Sequence, residues 1–443
     1  MTSVLRSGIG VLAIAVGVIL LLSPDALRAE DVPPTVSKIN SGDTAWLLAA
    51  SALMLAMVSP GLALFYSGLV RSKNALATIM HSFVILCIVS VIWILWGYSL
   101  AFGPDKGGVI GGLDWTGLSG VGQDPNARYA PTVPHLAFAL FQLMFAAITP
   151  ALITGAFAER VRFSALVLFS VLWTTLIYCP VAHWVWGGGW LDHRGALDFA
   201  GGAVVHLNAG MSALACALVL GRRRGYGTDY MAPHNLPLAF LGTGLLWFGW
   251  FGFNGGSAFG ANGIAVSAIL ATNTAAATAA LTWMVVEWMH RGKPTVLGIA
   301  SGAVTGLASI TAGAGYVSPG AAMLLGFAGG LLCYSAIVWK GRIGYDDALD
   351  VVGIHAVGGI VGILGVGLLA SKAINPAGGD GLFFGNPGQF SIQLLTTFAV
   401  MVFSFVGTYI ILKLVDGLTG LRVTPEEESI GLDLSQHNER AYS

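Results

Sequence analysis

The stretch DFAGGAVVHLNAGMSALACALVL, residues 198–220, opens on one carboxylate, carries one histidine (His206) near the middle of its apolar run and has no other charged side chain. A run of about 20 mostly apolar residues is what crosses the hydrocarbon core of a bilayer. An ionisable group inside such a run is expensive and faces the protein interior or a pathway. A second stretch, DDALDVVGIHAVGGIVGILGVGLLAS at 346–371, has the same plan, with His355 inside it and Asp346 and Asp350 before the histidine. The spacings are eight residues from Asp198 to His206, nine from Asp346 to His355 and five from Asp350. Eight residues of helix rise about 12 Å, so Asp198 is expected near one mouth of a helical bundle and His206 near its centre. Asp346 and Asp350 are expected in inverted positions at the opposite side.

The rest of the chain agrees with a membrane setting. Of its 443 residues 55% are hydrophobic and 10% charged, and the mean hydropathy is +0.77. A soluble domain carries about 25% charged residues, so a water-covered body of this size is excluded. With a net charge of -1 and no basic tract, nucleic-acid binding has no footprint. Cys87, Cys179, Cys216 and Cys333 lie in apolar stretches without a CxxC pair and read as buried small hydrophobes rather than a disulfide or zinc framework. At the start, Arg6, the apolar run Gly8–Leu22 and Ala26-Leu27-Arg28-Ala29 resemble a secretory signal peptide over residues 1–29; the alternative is an uncleaved extra span.

After that leader come eleven candidate spans, at 44–69, 76–102, 135–155, 163–189, 200–220, 237–258, 264–289, 295–313, 317–339, 346–371 and 391–416. Alternate connections collect Arg71, Lys73, Arg160, Arg162, Arg222, Arg223, Arg224, Arg291, Lys293, Lys340 and Arg342, and the C-terminal end adds Lys413, Arg422 and Arg440. The other connections hold only Lys106, Arg128, Arg194 and Lys372. The positive-inside rule then places the C-terminus in the cytoplasm and the mature N-terminus outside, which an odd span count also requires. Spans five and ten, which hold the histidines, end two sets of five. An odd set inverts the second relative to the first, and inverted repeats bring matching residues together near the midplane. The expected fold is therefore an all-α polytopic membrane protein of eleven transmembrane helices with a five-plus-five inverted repeat. Its transmembrane domain covers 44–416, and a cytoplasmic tail covers 417–443. The 61 glycines give small helix faces that allow close approach, which suits a narrow pore better than a wide one.

Two histidines at matched positions have three readings: packing, a shared haem in a redox protein, or a path for a small polar solute. A single pair supplies one haem site, whereas electron transfer across a bilayer usually needs more than one. Aromatic residues favour a solute. Trp186 ends the fourth span in Trp184-Val185-Trp186-Gly187-Gly188-Gly189, and Trp250 and Phe253 precede Ser257 at the end of the sixth. Tryptophans at such depths often anchor the interface, but aromatic faces beside a hydroxyl also suit a small cation.

The strings Asp198-Phe199-Ala200-Gly201-Gly202-Ala203-Val204-Val205-His206, Trp186-Gly187-Gly188-Gly189, Gly249-Trp250-Phe251-Gly252-Phe253-Asn254, Phe157-Ala158-Glu159-Arg160 and Leu421-Arg422-Val423-Thr424-Pro425-Glu426-Glu427-Glu428 together resemble the bacterial ammonium transporter (Amt/Rh) family, from about residue 44 to the C-terminus. The resemblance implies a homotrimer in the inner (plasma) membrane with one pore per subunit, no enzyme activity, and neither cofactor nor metal. It matches an outer recruitment site to Phe145, Trp186 and Ser257, a phenylalanine gate to Phe145 and Phe253, and twin pore histidines to His206 and His355. It also matches an essential acid to Asp198, which either stabilises the arriving cation or fixes the mouth by accepting backbone hydrogen bonds, and further pore residues to Gln142, Trp250 and Thr311. Trp186 and Ser257 favour the Amt branch over Rh.

A PII-type signal protein is the cytoplasmic partner the resemblance implies, and ammonium or ammonia is the solute. Two departures stand out. Ala356-Val357-Gly358-Gly359 follows His355 where many relatives carry a cysteine, and Asn438 stands where a glycine is common. An ammonium sensor on the same fold is the alternative, for which the 417–443 tail offers no room for a signalling domain.

Overall fold

The computed structural model describes residues 38–442; the leader read at 1–29 lies outside them. Ten helices among the described residues are apolar and long enough to cross a membrane. They are α1 (Ser41–Leu69), α2 (Ser72–Phe102), α3 (His135–Phe157), α4 (Phe163–Val185), α5 (Gly202–Leu220), α6 (Leu236–Gly256), α7 (Gly263–Arg291), α9 (Pro319–Ile343), α10 (Val352–Leu369) and α11 (Pro387–Thr419). The expected eighth span, 295–313, is instead the 15-residue helix α8, Val296–Ile310. At about 1.5 Å per residue it is roughly 22 Å long, less than the hydrocarbon core of about 30 Å. Its start is fixed by Thr295, whose hydroxyl accepts from Gly298 N at 2.9 Å, and by Glu287, which accepts from Thr295 N at 3.0 Å. Its end falls where Thr311-Ala312-Gly313-Ala314-Gly315 turns the chain toward α9.

Between α2 and α3 the chain forms two small antiparallel hairpins, β1 (Asp105–Lys106) with β2 (Ile110–Gly111), and β3 (Pro125–Asn126) with β4 (Ala130–Pro134). After α11 come the short helices α12 (Pro425–Ile430) and α13 (Leu432–His437). Helix α3 is buried along nearly all its length and forms the centre of the bundle. Three of the four thiols are buried as expected, but Cys87 is exposed. It shares the outward face of α2 with Phe83 and Val91, a face whose apolar character made the cysteine look interior.

Helices α5 and α10 both begin with a wide π-helical turn that contains the histidine, Gly202–Leu207 and Val352–Ala356. Each start is capped by an aspartate in the preceding segment. Asp198 accepts from four backbone N–H groups: Gly201 and Gly202 on Oδ1 at 2.9 and 2.6 Å, Ala203 and Val204 on Oδ2 at 2.8 and 3.1 Å. Gly201 makes this possible with φ +111°, a left-handed conformation that only glycine adopts freely. At α10 the corresponding group is Asp347, which accepts from Val352 N at 2.7 Å. This corrects the expectation for Asp346 and Asp350. Asp347 lies eight residues before His355, as Asp198 lies eight before His206. Asp346 is bound by Arg223, with Nε 2.9 Å from Oδ2, and Asp350 pairs with Lys340.

The two starts are docked alike. Phe199 N donates to Ala312 O just beyond α8 at 3.0 Å, and Ala348 N donates to Ala156 O at the end of α3 at 3.3 Å. The helices also cross without room for side chains. A methyl group on Gly210 would collide with the backbone of Ala356, and one on Gly359 would lie 2.7 Å from Leu207 N. Each glycine lies four residues past its own histidine and meets the residue that follows the other histidine.

At the end of the bundle that holds the α3–α4 turn, the string at 157–160 and the tail string at 421–428 meet. Arg162 N donates to Leu421 O at 2.9 Å and Val423 N to Arg160 O at 3.1 Å. Glu159 sits between Arg71 and Arg223, whose Nη1 is 3.0 Å away. Burial pushes its carboxyl up, but the charges of Arg223 and Arg71 outweigh this and hold it below its ordinary value. Its contribution to stability is therefore present at neutral pH and lost as pH falls through the folded value.

If the glycine crossing holds the two helices together, Gly210→Ala forces the backbones apart. Overpacking of this kind costs about 1–3 kcal/mol. The thermal midpoint of the detergent-purified protein is expected to fall by several degrees. Gly244→Ala, at a position with open space around it, is expected to leave the midpoint in place. Equal midpoints for both variants would contradict the crossing.

Candidate functional site

A cavity of about 440 Å³ opens at the end of the bundle where α3 and α5 begin and α4 and α6 end. Trp186, Phe145, Gln142, Asp198 and Ser257 all line it. Trp186 follows the last turn of α4, and its indole Nε1 donates to Asp198 O at 2.7 Å. The carboxylate of Asp198 is fully engaged by the four N–H groups at the α5 start. Its place is thus that of a cap joined through its own carbonyl to the indole. Ser257 donates from Oγ to Phe253 O at 2.9 Å, leaving its oxygen able to accept. Gln142 is buried, and its Oε1 has no hydrogen-bond partner among the described residues.

Phe145 forms the floor of the cavity. Its ring lies 5.5 Å from Trp186, edge to face, and 4.5 Å from Phe253, centroid to centroid. Phe253 is fully buried and continues inward, with its ring 6.0 Å from that of His206. The rings of Trp250 and His206 are nearly parallel at 5.3 Å. Trp250 is held by Thr311, whose hydroxyl accepts from the indole at 3.0 Å and donates to Leu307 O at 2.7 Å. Six of the predicted residues thus fall on one column, from Trp186 at the mouth through Phe145 and Phe253 to His206, with Trp250 and Thr311 as its wall.

His355 completes the column from the other half of the chain. The two Nδ1 atoms are 3.2 Å apart and the rings lie within 15° of parallel, both buried. For two neutral imidazoles, one Nδ1 must donate and the other accept. The rings are then opposite tautomers. One Nε2 carries a proton and the other a lone pair, so the pair offers both a donor and an acceptor. The Nε2 of His206 is buried without a hydrogen-bond partner among the described residues, a place for a small polar guest. A haem does not fit this pair. Imidazole nitrogens bound on the two opposite faces of a haem need about 4 Å between them at bonds of about 2.0 Å each, and the rings leave no gap for the macrocycle.

Residues not singled out in the sequence shape the mouth as well. His183, buried one turn before Trp186, has Nδ1 3.0 Å from Ala101 O and Nε2 2.8 Å from Asp105 Oδ1. These two contacts fix the end of α4. Tyr129, Arg128 and Asp192 line the cavity rim. They come from loops whose sequence has no periodic pattern, so only the fold brings them to the site.

The profile of the Ammonium Transporter Family matches residues 45–442. An ammonium transporter of Bacillus subtilis is 52% identical over 405 residues, spanning 91% of this chain and 99% of that relative. The crystal structure of Mep2 from Candida albicans superposes with a TM-score of 0.83 at 38% identity, covering 91% of each chain. A structure described as a sensor Amt protein superposes with a TM-score of 0.82 at 30% identity, covering 89% of this chain and 98% of the other.

The four-donor cap predicts the effect of Asp198→Asn. An amide has one acceptor oxygen, so two of the four N–H groups lose their partner, and a buried unpaired donor costs about 1–3 kcal/mol. The expected outcome is a lower thermal midpoint and a shift in tryptophan fluorescence as Trp186 loosens. A variant with unchanged midpoint and spectrum would show that the cap is dispensable.

Proposed function

The chain belongs to the ammonium transporter family and is a multi-pass membrane transporter of ammonium rather than an enzyme, and we propose that it works by stripping the cation at its outer mouth and passing ammonia along the histidine pair. Trp186 and Phe145 offer aromatic faces to the cation, the Ser257 hydroxyl and Gln142 Oε1 accept hydrogen bonds from its N–H groups, and the proton it gives up passes to water in the mouth cavity. Cation–π contact contributes about 0.5–2 kcal/mol per good face. A bare cation at the membrane centre costs at least about 2.5–3.5 kcal/mol, so the closed Phe145–Phe253 contact favours a neutral guest. Ammonia then finds the free Nε2 of His206 and the donor–acceptor pair with His355. Asp198 acts through position, holding the α5 start and the Trp186 indole. The observation that carries this reading is the unbroken column from the mouth cavity through the two phenylalanines to histidines joined Nδ1 to Nδ1 at 3.2 Å.

The topology proposed with it has eleven crossings, with α8 as the eighth, a cleaved leader, and the C-terminus in the cytoplasm of an inner-membrane protein. Two facts support α8 as a crossing. Without it, Arg291 and Lys293 would face away from Lys340 and Arg342. It also docks the α5 start as α3 docks the α10 start, which is the relation an inverted repeat requires. A homotrimer and a PII-type partner at the cytoplasmic face complete the proposal. The transporter reading stands above the sensor reading because the sensor structure is 30% identical, against 52% for the Bacillus subtilis transporter.

The histidine pair provides the test. Potassium resembles ammonium in size and charge but has no proton to give up. His206→Glu or His355→Asp places a negative charge at the midplane and lowers the cost of a permanent cation. Such variants are expected to pass ammonium and also potassium, measured as potassium-dependent current in cells expressing folded protein. Variants that reject potassium as firmly as the parent would remove the pair as the selectivity element.

A further inference from the structure

The outer cavity already contains a cation, supplied by the chain itself. Arg128 sits in the turn between β3 and β4, and its guanidinium carbon lies 5.6 Å from the centroid of the Tyr129 ring. Its Nη2 is 3.5 Å from Asp192 Oδ2. The guanidinium passes over Gly188, where a methyl group would collide with it. Tyr129 is not a loose partner. Its hydroxyl donates to Phe102 O at 2.7 Å and lies 3.1 Å from Gly187 O, which ties the ring to the segment that follows Trp186. An aromatic face beside a carboxylate is the chemistry that holds a small N–H cation, and here it opens on the same cavity as Trp186 and Ser257.

We propose that Tyr129 and Asp192 form a second, outer cation post for ammonium and small alkylammonium ions, occupied in the resting protein by the guanidinium of Arg128. Ammonium arriving from outside exchanges with the guanidinium and moves inward to Trp186. Arg128 thereby competes with the substrate and raises the concentration at which the mouth fills. Exchange is easy because the two side chains are 51% and 41% exposed. Exposed pairs of this kind contribute a factor of about two to five in an equilibrium, and salt screens them over a Debye length of about 8 Å at physiological ionic strength. This inference rests on the reading of Trp186, Phe145 and Ser257 as the entrance for ammonium.

The test is saturable uptake of labelled methylammonium by the full chain in liposomes, at low and high sodium chloride, for the parent, Arg128→Ala, Asp192→Asn and the double variant. Arg128→Ala is expected to lower the half-saturating concentration about two- to fivefold at low salt, with the gain lost at high salt. Asp192→Asn is expected to raise it by a similar factor, and in its background Arg128→Ala is expected to give no gain. If the gain persists without Asp192, Arg128 acts only through its field and the post is wrong. If Arg128→Ala does not fold, an unchanged half-saturating concentration in Asp192→Asn overturns the proposal by itself. Parent protein that takes up no methylammonium would overturn the transport reading instead, whereas normal parent uptake with both single variants unchanged overturns only the outer post.

Discussion

The close crossing of α5 and α10 is the constraint on which the rest of the molecule depends. Gly210 lies against the backbone around Ala356, and Gly359 lies against Leu207 and Gly202. With no side chain at either glycine, the two helix starts meet backbone to backbone, and the histidines one turn earlier are carried to hydrogen-bond distance. Each start must then be held from behind, because a helix that begins inside protein leaves its first N–H groups without partners. Asp198 and Asp347 meet that need, and the ends of α3 and α8 receive the residue after each. The chain thus builds one arrangement twice around one contact.

The aromatic column follows from the same crossing. With the histidine pair fixed, Phe253, Trp250 and Thr311 pack beside His206, and Phe145 closes the column toward the mouth cavity. The packed rings at this level suit a polar guest that is small, uncharged and able to use a donor or an acceptor on imidazole. In the proposed route the protein discriminates by chemistry at the mouth rather than by pore diameter. A guest that can lose a proton proceeds; one whose charge is permanent does not.

Much of this was legible in the sequence because membrane burial makes polar residues conspicuous. His206, His355 and Asp198 stand out against long apolar runs, and the family strings named the aromatic residues around them. What stayed hidden had physical reasons. Asp347 was passed over for Asp346 and Asp350 because three aspartates stand within five residues, and only the backbone decides which one reaches Val352 N. The bounds of the eighth segment read too long because Thr311-Ala312-Gly313-Ala314 is apolar enough to extend the run, although the helix ends at Ile310 and the chain then turns. Cys87 read as interior because an apolar neighbourhood means burial in a soluble protein but equally an outward face in a membrane one. Arg128, Tyr129 and Asp192 converge from loops far apart in the chain, which no local pattern records.

The central claim is that ammonium is selected by its ability to give up a proton before the histidine pair. Uptake of labelled methylammonium into liposomes containing the purified protein, with ammonium or a large excess of potassium as competitor, tests this most directly. The account predicts saturable uptake above that of empty liposomes, suppressed by ammonium and indifferent to potassium. Uptake that potassium suppresses as well as ammonium does would contradict it.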